Sequence, residues 1–231
     1  MDSTQQPRPA VIAVDGPAGA GKSTVARKLA ACLSFLYLDT GAMYRAFALK
    51  ALREGVDLRD EQALAELLAD TKIELYPMAS KGLVQVILDG NDVTALLRTP
   101  QVNATVAQVA GFASVRSDMV TRQREMARLG GVVMDGRDIG TFVLPHAEIK
   151  FFLTASLDAR AHRRYHELQQ LGFDVSIDRI REEIAHRDML DSSRPYAPLL
   201  QARDAILVDT TDMEVEEVVA HMLAICRHRL D

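Results

Sequence analysis

Residues 16–24 read Gly-Pro-Ala-Gly-Ala-Gly-Lys-Ser-Thr, and this stretch constrains the chain more than any other. Gly16, Gly21, Lys22 and Ser23 fill the pattern G-x-x-x-x-G-K-[ST] without a gap. An apolar run, Val11–Asp15, precedes it, and a helical pattern, Val25–Ala30, follows. Strand, glycine turn and helix therefore come in the order of a phosphate-binding loop opening an α/β core. Glycine lets main-chain N–H groups converge without a side-chain clash, and the new helix turns its positive end toward the same space. Gly16, Pro17, Ala18, Gly19, Ala20, Gly21, Lys22, Ser23 and Thr24 are thus expected to surround the phosphates of a nucleoside triphosphate. Lys22 would reach the outer phosphates, and Ser23 would offer an oxygen to Mg2+.

The remaining pattern extends that core. Short apolar runs at 10–15, 35–38, 131–135, 148–153 and 205–209 have the composition of strands covered on both faces. Helical periodicity fills 22–33, 41–54, 103–128, 156–171, 176–190 and 213–229, so a parallel sheet with right-handed crossovers is expected. A second kind of pattern interrupts this alternation. An amphipathic helix at 59–69 leads to strand-like runs at 72–75 and 83–88 and to the turn Asp89-Gly90-Asn91. These features predict a small antiparallel insert over about 62–102. The division expected is a core of 10–61, 103–155 and 204–231, the insert 62–102, and a charged helical segment 156–203. A chain of 231 residues with 48% hydrophobic content suits one core with such additions.

Charge and cysteine content exclude some classes. A net charge of −5 argues against a general nucleic-acid binder, and no apolar run reaches membrane-spanning length. Met1–Pro9 is polar and reads as a loose tail without the apolar segment of a signal peptide. Cys32 and Cys226 have no metal or redox spacing and are expected to be buried thiols in a reducing cytoplasm. The six histidines show no ligand spacing, and no nucleophile elbow is present.

A phosphate-binding loop alone does not separate a GTPase, a motor, a transporter ATPase and a small-molecule kinase. Three further clusters narrow the choice. Leu38-Asp39-Thr40-Gly41-Ala42-Met43-Tyr44-Arg45 follows the second strand, and Asp39 or Thr40 can cap the next helix, while Arg45 lies one turn in. Asp135 closes an apolar strand where a carboxylate can hold a Mg2+-bound water, and Gly136, Arg137 and Asp138 follow at once. Arg160, Arg163 and Arg164 lie within about a turn of one another, and Arg187, Asp191 and Arg194 share a helix face. Guanidinium groups make planar, bidentate contacts to oxyanions, as a lid over phosphates requires. The guanine-reading tetrapeptide of GTPases is missing: Asn91 and Asn103 begin no N-K-x-D.

Taken with Asp-Gly-Arg-Asp-Ile-Gly-Thr at 135–141 and Arg-Asp-x-x-Asp-x-x-Arg at 187–194, these motifs resemble the bacterial cytidylate kinases over about residues 10–225. The resemblance implies a three-layer α/β P-loop nucleoside monophosphate kinase fold of the adenylate-kinase type. It would have a central parallel five-stranded sheet, an inserted NMP-binding subdomain and a lid. It implies transfer of the ATP γ-phosphate to CMP or dCMP with Mg2+. A cytoplasmic monomer is the default expectation for a compact kinase of this kind, and charge and hydropathy lead to no nucleic-acid or membrane partner being expected. Carried over by position, Lys22, Asp135, Arg137 and Arg194 are the catalytic set, and Arg160, Arg163 and Arg164 join the loop around ATP. Arg45, Arg137 and Arg194 hold the acceptor phosphate, Arg187 and Asp191 meet its sugar, and Arg116 with Asp138 reads the base. Thr40 is expected in the acceptor pocket. Ala107 departs from the pattern, since some members carry a serine there that contacts cytosine.

Overall fold

The computed structural model describes residues 9–78, 84–170 and 172–230. The expected tail therefore lies outside the described residues except for Pro9, as does most of the linker between the insert strands.

Five short strands, each rich in aliphatic side chains, form the central sheet: β1 (Val11–Asp15), β2 (Leu36–Asp39), β6 (Val132–Asp135), β7 (Ile149–Thr154) and β8 (Ile206–Asp209). They run in the order β2-β6-β1-β7-β8, and every pairing is parallel. β1 is central and wholly buried, as its unbroken apolar run demands. On one face Ile12, Val14, Val133, Phe151 and Leu153 pack against α1 (Lys22–Leu33) and α8 (Val215–Leu230). On the other, Ala13, Leu38, Val132 and Met134 meet Val120, Ile139 and Val143. Helix, sheet and helix make the three layers, and each large aliphatic side chain so covered contributes about 1.5–3 kcal/mol.

The insert is antiparallel, as expected: β3 (Ile73–Pro77), β4 (Val84–Leu88) and β5 (Asn91–Asp92) form a separate sheet. Asp89 and Gly90 both have positive φ, which lets the chain reverse within two residues between β4 and β5. Val86 and Leu88 of that sheet share a core with Phe47 of α2 (Thr40–Glu54), Leu64 and Leu68 of α3 (Glu61–Ala69), and Val102 and Met119.

Two expectations fail. The single helix 103–128 is two helices, α4 (Pro100–Val109) and α5 (Ala113–Met126). Gly111 lies between them, and Phe112 takes an extended conformation before α5 starts. Cys32 is exposed on α1, facing away from the sheet layer that holds Val25, Ala26 and Leu29, whereas Cys226 is buried. The last addition is a helical pair, α6 (Leu157–Gln170) and α7 (Ile177–Ser193), joined by contacts among Ala161, Leu168, Ile180 and Ile184.

Parallel pairing puts the carboxyl ends of all five strands on one side. Three adjacent strands there end in an aspartate: Asp39 on β2, Asp135 on β6 and Asp15 on β1. That edge is where an open α/β sheet gathers its ligands.

Candidate active site

The loop after β1 has the geometry its glycines permit. Gly16, Gly19 and Gly21 have φ of 143°, 77° and 82°. A Cβ on Gly16 would stand 2.0 Å from the carbonyl oxygen of Leu153 on β7, so only glycine allows that approach. No side chain caps α1 at Gly21, which leaves its first amides for an anion. The Lys22 ammonium is buried and donates to the Pro17 carbonyl at 2.6 Å. Burial, then the Arg137 charge, lowers its pKa well below the ordinary lysine value, with Asp135 opposing. The polyanion of a triphosphate would supply the negative charge that this ammonium lacks.

Ser23 Oγ donates to Asp135 Oδ2 at 2.8 Å, and Tyr37 Oη donates to Asp135 Oδ1 at 2.8 Å. Burial, and then the neighbouring Asp39, pushes the Asp135 pKa up to about 6. Thr40 Oγ1 donates to the main-chain oxygen of Asp135 at 2.7 Å. Asp39 caps α2 through the Ala42 amide at 2.8 Å and accepts from Arg45 Nη2 at 3.0 and 3.2 Å. The cap and the arginine are thus one construction, because the same carboxylate starts the helix and aims its second-turn cation.

The remaining arginines converge from three other stretches. Arg116, on α5, is buried at 1% exposure, donates to Asp138 Oδ2 and lies over the Tyr44 ring at 5.7 Å. Arg137 Nε donates to Asp191 Oδ2 at 2.8 Å. Arg194 lies 3.4 Å from Asp138 and 3.6 Å from Asp191. Arg187 stands 4.0 Å from Asp191, and its buried Nε has no hydrogen-bond partner. Burial and the charge of Arg137 bring the Arg187 pKa down to about 10. Burial raises the Asp191 carboxyl, but Arg137, Arg187 and Arg194 outweigh it and hold its pKa below the usual value. A recess of about 270 Å³ opens beside this cluster, lined by Ala107, Gly111, Asp191 and Arg194 among others. Ala107, the residue that departs from the resemblance, therefore faces this recess.

The three arginines expected around ATP have protein partners. Arg160 donates to the Ala155 oxygen at 3.0 Å, the Ala18 oxygen at 2.9 Å and Asp188 at 2.5 Å. Arg163 is bonded to Thr210 through both its hydroxyl and its carbonyl, and Arg164 to Glu167 at 2.6 Å. Sequence reasoning gave Asp188 no role, yet its other oxygen accepts from the Ala18 amide at 3.2 Å. Asp188 and Arg160 hold both sides of the residue at the tip of the phosphate loop. Position beside Arg187 was the one available signal. Tyr37 was likewise missed, since a tyrosine in a strand reads as packing. All six histidines are exposed.

The cytidylate kinase family model matches residues 12–228, nearly the whole described fold. The chain belongs to the cytidylate kinase family. A cytidylate kinase of Geobacillus thermodenitrificans is 54% identical over 95% of this chain and 97% of its own length. One from Bacillus pumilus is 55% identical over 92% of this chain and 93% of that protein. The Bacillus subtilis cytidylate kinase is 52% identical over 92% and 94%. A solved shikimate kinase from Bacteroides thetaiotaomicron covers 94% of this chain and 98% of its own at 15% identity and a TM-score of 0.46.

Proposed function

We propose that the chain transfers the γ-phosphoryl group of ATP to CMP or dCMP, giving ADP and the nucleoside diphosphate. One observation supports this above the others. Arg45, Arg137 and Arg194 come from three separate stretches and stand around the strand ends that follow the phosphate loop. A donor on Lys22 and the α1 amides would face an acceptor phosphate held by those guanidinium groups.

No general base is required, because the attacking oxygen belongs to a phosphate that is already anionic. Catalysis rests on bringing two polyanions together in line and neutralising the charge that develops. Lys22 would lie along the outer donor phosphates, with Arg137 and Arg194 bridging toward the acceptor. Ser23 and Asp135 fit Mg2+: both are oxygen donors, they lie 2.8 Å apart, and Asp39 adds negative charge beside them. Among the described residues no cluster of three His, Cys, Asp or Glu could hold an ion alone, as expected where phosphates supply most of the ligands. When bound, Mg2+ neutralises phosphate charge and fixes its geometry.

Base choice would rest on Asp138 and Arg116. Cytosine offers an N4 donor beside the N3 and O2 acceptors, which match a carboxylate next to a guanidinium. Uracil reverses two of these roles and leaves a buried group unpaired, at a cost of roughly 1–3 kcal/mol per group. Asp191 and Arg187 would meet the sugar, and Thr40 supports the pocket floor through Asp135. The insert 62–102 would serve the acceptor side. The segment 156–203 would act as the lid, excluding water so that ATP is not hydrolysed. The reading includes a cytoplasmic monomer, and among the described residues no helix is long and apolar enough to cross a membrane. ADP release measured over CMP, dCMP, UMP, AMP and dTMP tests the assignment. Preference for UMP, AMP or dTMP over both cytidine nucleotides would sink it.

A further inference from the structure

The carboxylate of Asp15 takes no part in the scheme above, yet it is 4% exposed and has two short hydrogen bonds. Its Oδ1 accepts from the Ile139 amide at 2.8 Å, and its Oδ2 from the Gly140 amide at 2.7 Å. Those amides open the π-helical turn Ile139–Val143, which starts directly after Asp138. A helical turn beginning after an aspartate would ordinarily be capped by that residue's own side chain. Here it is not: the Asp138 side chain makes no cap bond and points its oxygens at Arg116 and Arg194.

Asp15 therefore does for this turn what Asp138 would otherwise do, and does it from a different strand. Asp15 ends β1, and the next residue, Gly16, begins the phosphate loop. A second tie runs alongside, from the Gly136 amide to the Val14 carbonyl at 3.0 Å. Burying a carboxylate is costly, and no cation forms an ion pair with Asp15 among the described residues.

We infer that Asp15 is a positioning residue for acceptor recognition: by capping the 139–143 turn in place of Asp138, it leaves the Asp138 carboxylate available to the acceptor base. This rests on the proposed reading of Asp138. Without Asp15, Asp138 can fold back onto its own turn, and the base contact is lost without any change in the donor cradle.

The test uses Asp15→Asn, which keeps size and one acceptor oxygen but turns an N–H toward a main-chain N–H. Expected are a KM for CMP raised about tenfold and a CMP-over-UMP preference reduced about tenfold. ATP affinity, measured without acceptor, should change less than about twofold. Gly140→Ala is the second variant, because its new methyl would meet Lys150 Cδ at 3.1 Å and Asp15 Oδ2 at 3.3 Å while the carboxylate stays. It should shift both readouts the same way by a smaller factor, and it decides the matter if Asp15→Asn does not fold. Asp138→Asn is measured beside them. If Asp138→Asn leaves base preference unchanged, the reading of Asp138 fails and takes the inference with it. If Asp138→Asn erases the preference while Asp15→Asn and Gly140→Ala keep it, the inference alone is overturned. An equal loss of ATP affinity, or a lower melting temperature with unchanged CMP kinetics, would also overturn it.

Discussion

Asp39 and Asp135 stand opposite each other in register on β2 and β6, and their carboxylates serve different sides of the site. Asp39 holds Arg45, which would meet the acceptor, whereas Asp135 accepts from Ser23 of the donor loop. On the proposed reading, the boundary between the two substrates would fall between two neighbouring strands. Any change at one carboxylate shifts the charge felt by the other.

Removing a guanidinium from the centre of the site should affect transfer rather than donor binding. Arg137→Ala and Arg194→Ala are each expected to lower kcat by about 10²–10³, in the range of a lost transition-state donor. ATP affinity from equilibrium titration should stay near that of the parent chain. Near-normal turnover in both variants would remove these residues from the catalytic set.

Tyr37→Phe tests the proposed Mg2+ position without touching Ser23 or Asp135. The hydroxyl donates to one Asp135 oxygen at 2.8 Å, and its loss frees that oxygen to rotate. The concentration of Mg2+ for half-maximal rate should rise about tenfold, as for other residues that orient a metal-holding group. A titration of rate against Mg2+ at saturating nucleotides reads this directly.

Asp188→Ala should loosen the tip of the phosphate loop, because one oxygen binds the Ala18 amide and the other binds Arg160. KM for ATP is expected to rise about fivefold to tenfold, consistent with one lost charge-assisted contact. An unchanged KM for ATP would mean that α7 only rests against the loop.

Asp15 should make stability fall as pH rises from about 4 to about 7. Burial raises its pKa from 3.8 to about 7 in the folded chain. Between those values the folded chain keeps a proton that the unfolded chain has released. The stabilisation from this group is full below about pH 4 and is lost as pH climbs through about 7. Asp135, raised to about 6, acts with the same sign. Urea unfolding between about pH 4 and pH 8 should show a shallower decline for Asp15→Asn than for the parent chain.

The sheet was legible in the sequence because buried parallel strands leave unbroken aliphatic runs, and the phosphate loop because its glycines have fixed spacing. The break between α4 and α5 was not legible. Gly111 sits in a continuous helical pattern, and a single glycine there is compatible with an unbroken helix. Cys32 was misplaced because an apolar neighbourhood along the chain does not say which face of α1 a residue occupies. Arg137, Asp138, Asp191 and Arg194 were named from motifs and Arg116 from the resemblance, and the fold links these five through ion pairs. Asp15 and Asp188 were given no role because their partners, Gly140 and Ala18, lie 125 and 170 residues away. No local period records a contact at that range. Arg160, Arg163 and Arg164 were expected around ATP, but their guanidinium groups are engaged by nearby carbonyls, a hydroxyl and carboxylates.

The acidic escorts of those guanidinium groups carry one more implication. Arg45, Arg116, Arg137 and Arg194 each already sit beside Asp39, Asp138 or Asp191, so a nucleotide held by these four groups would take over existing contacts. Few loosely held counterions would then be released when it docks. Binding should accordingly depend on ionic strength far less than the tally of basic groups suggests.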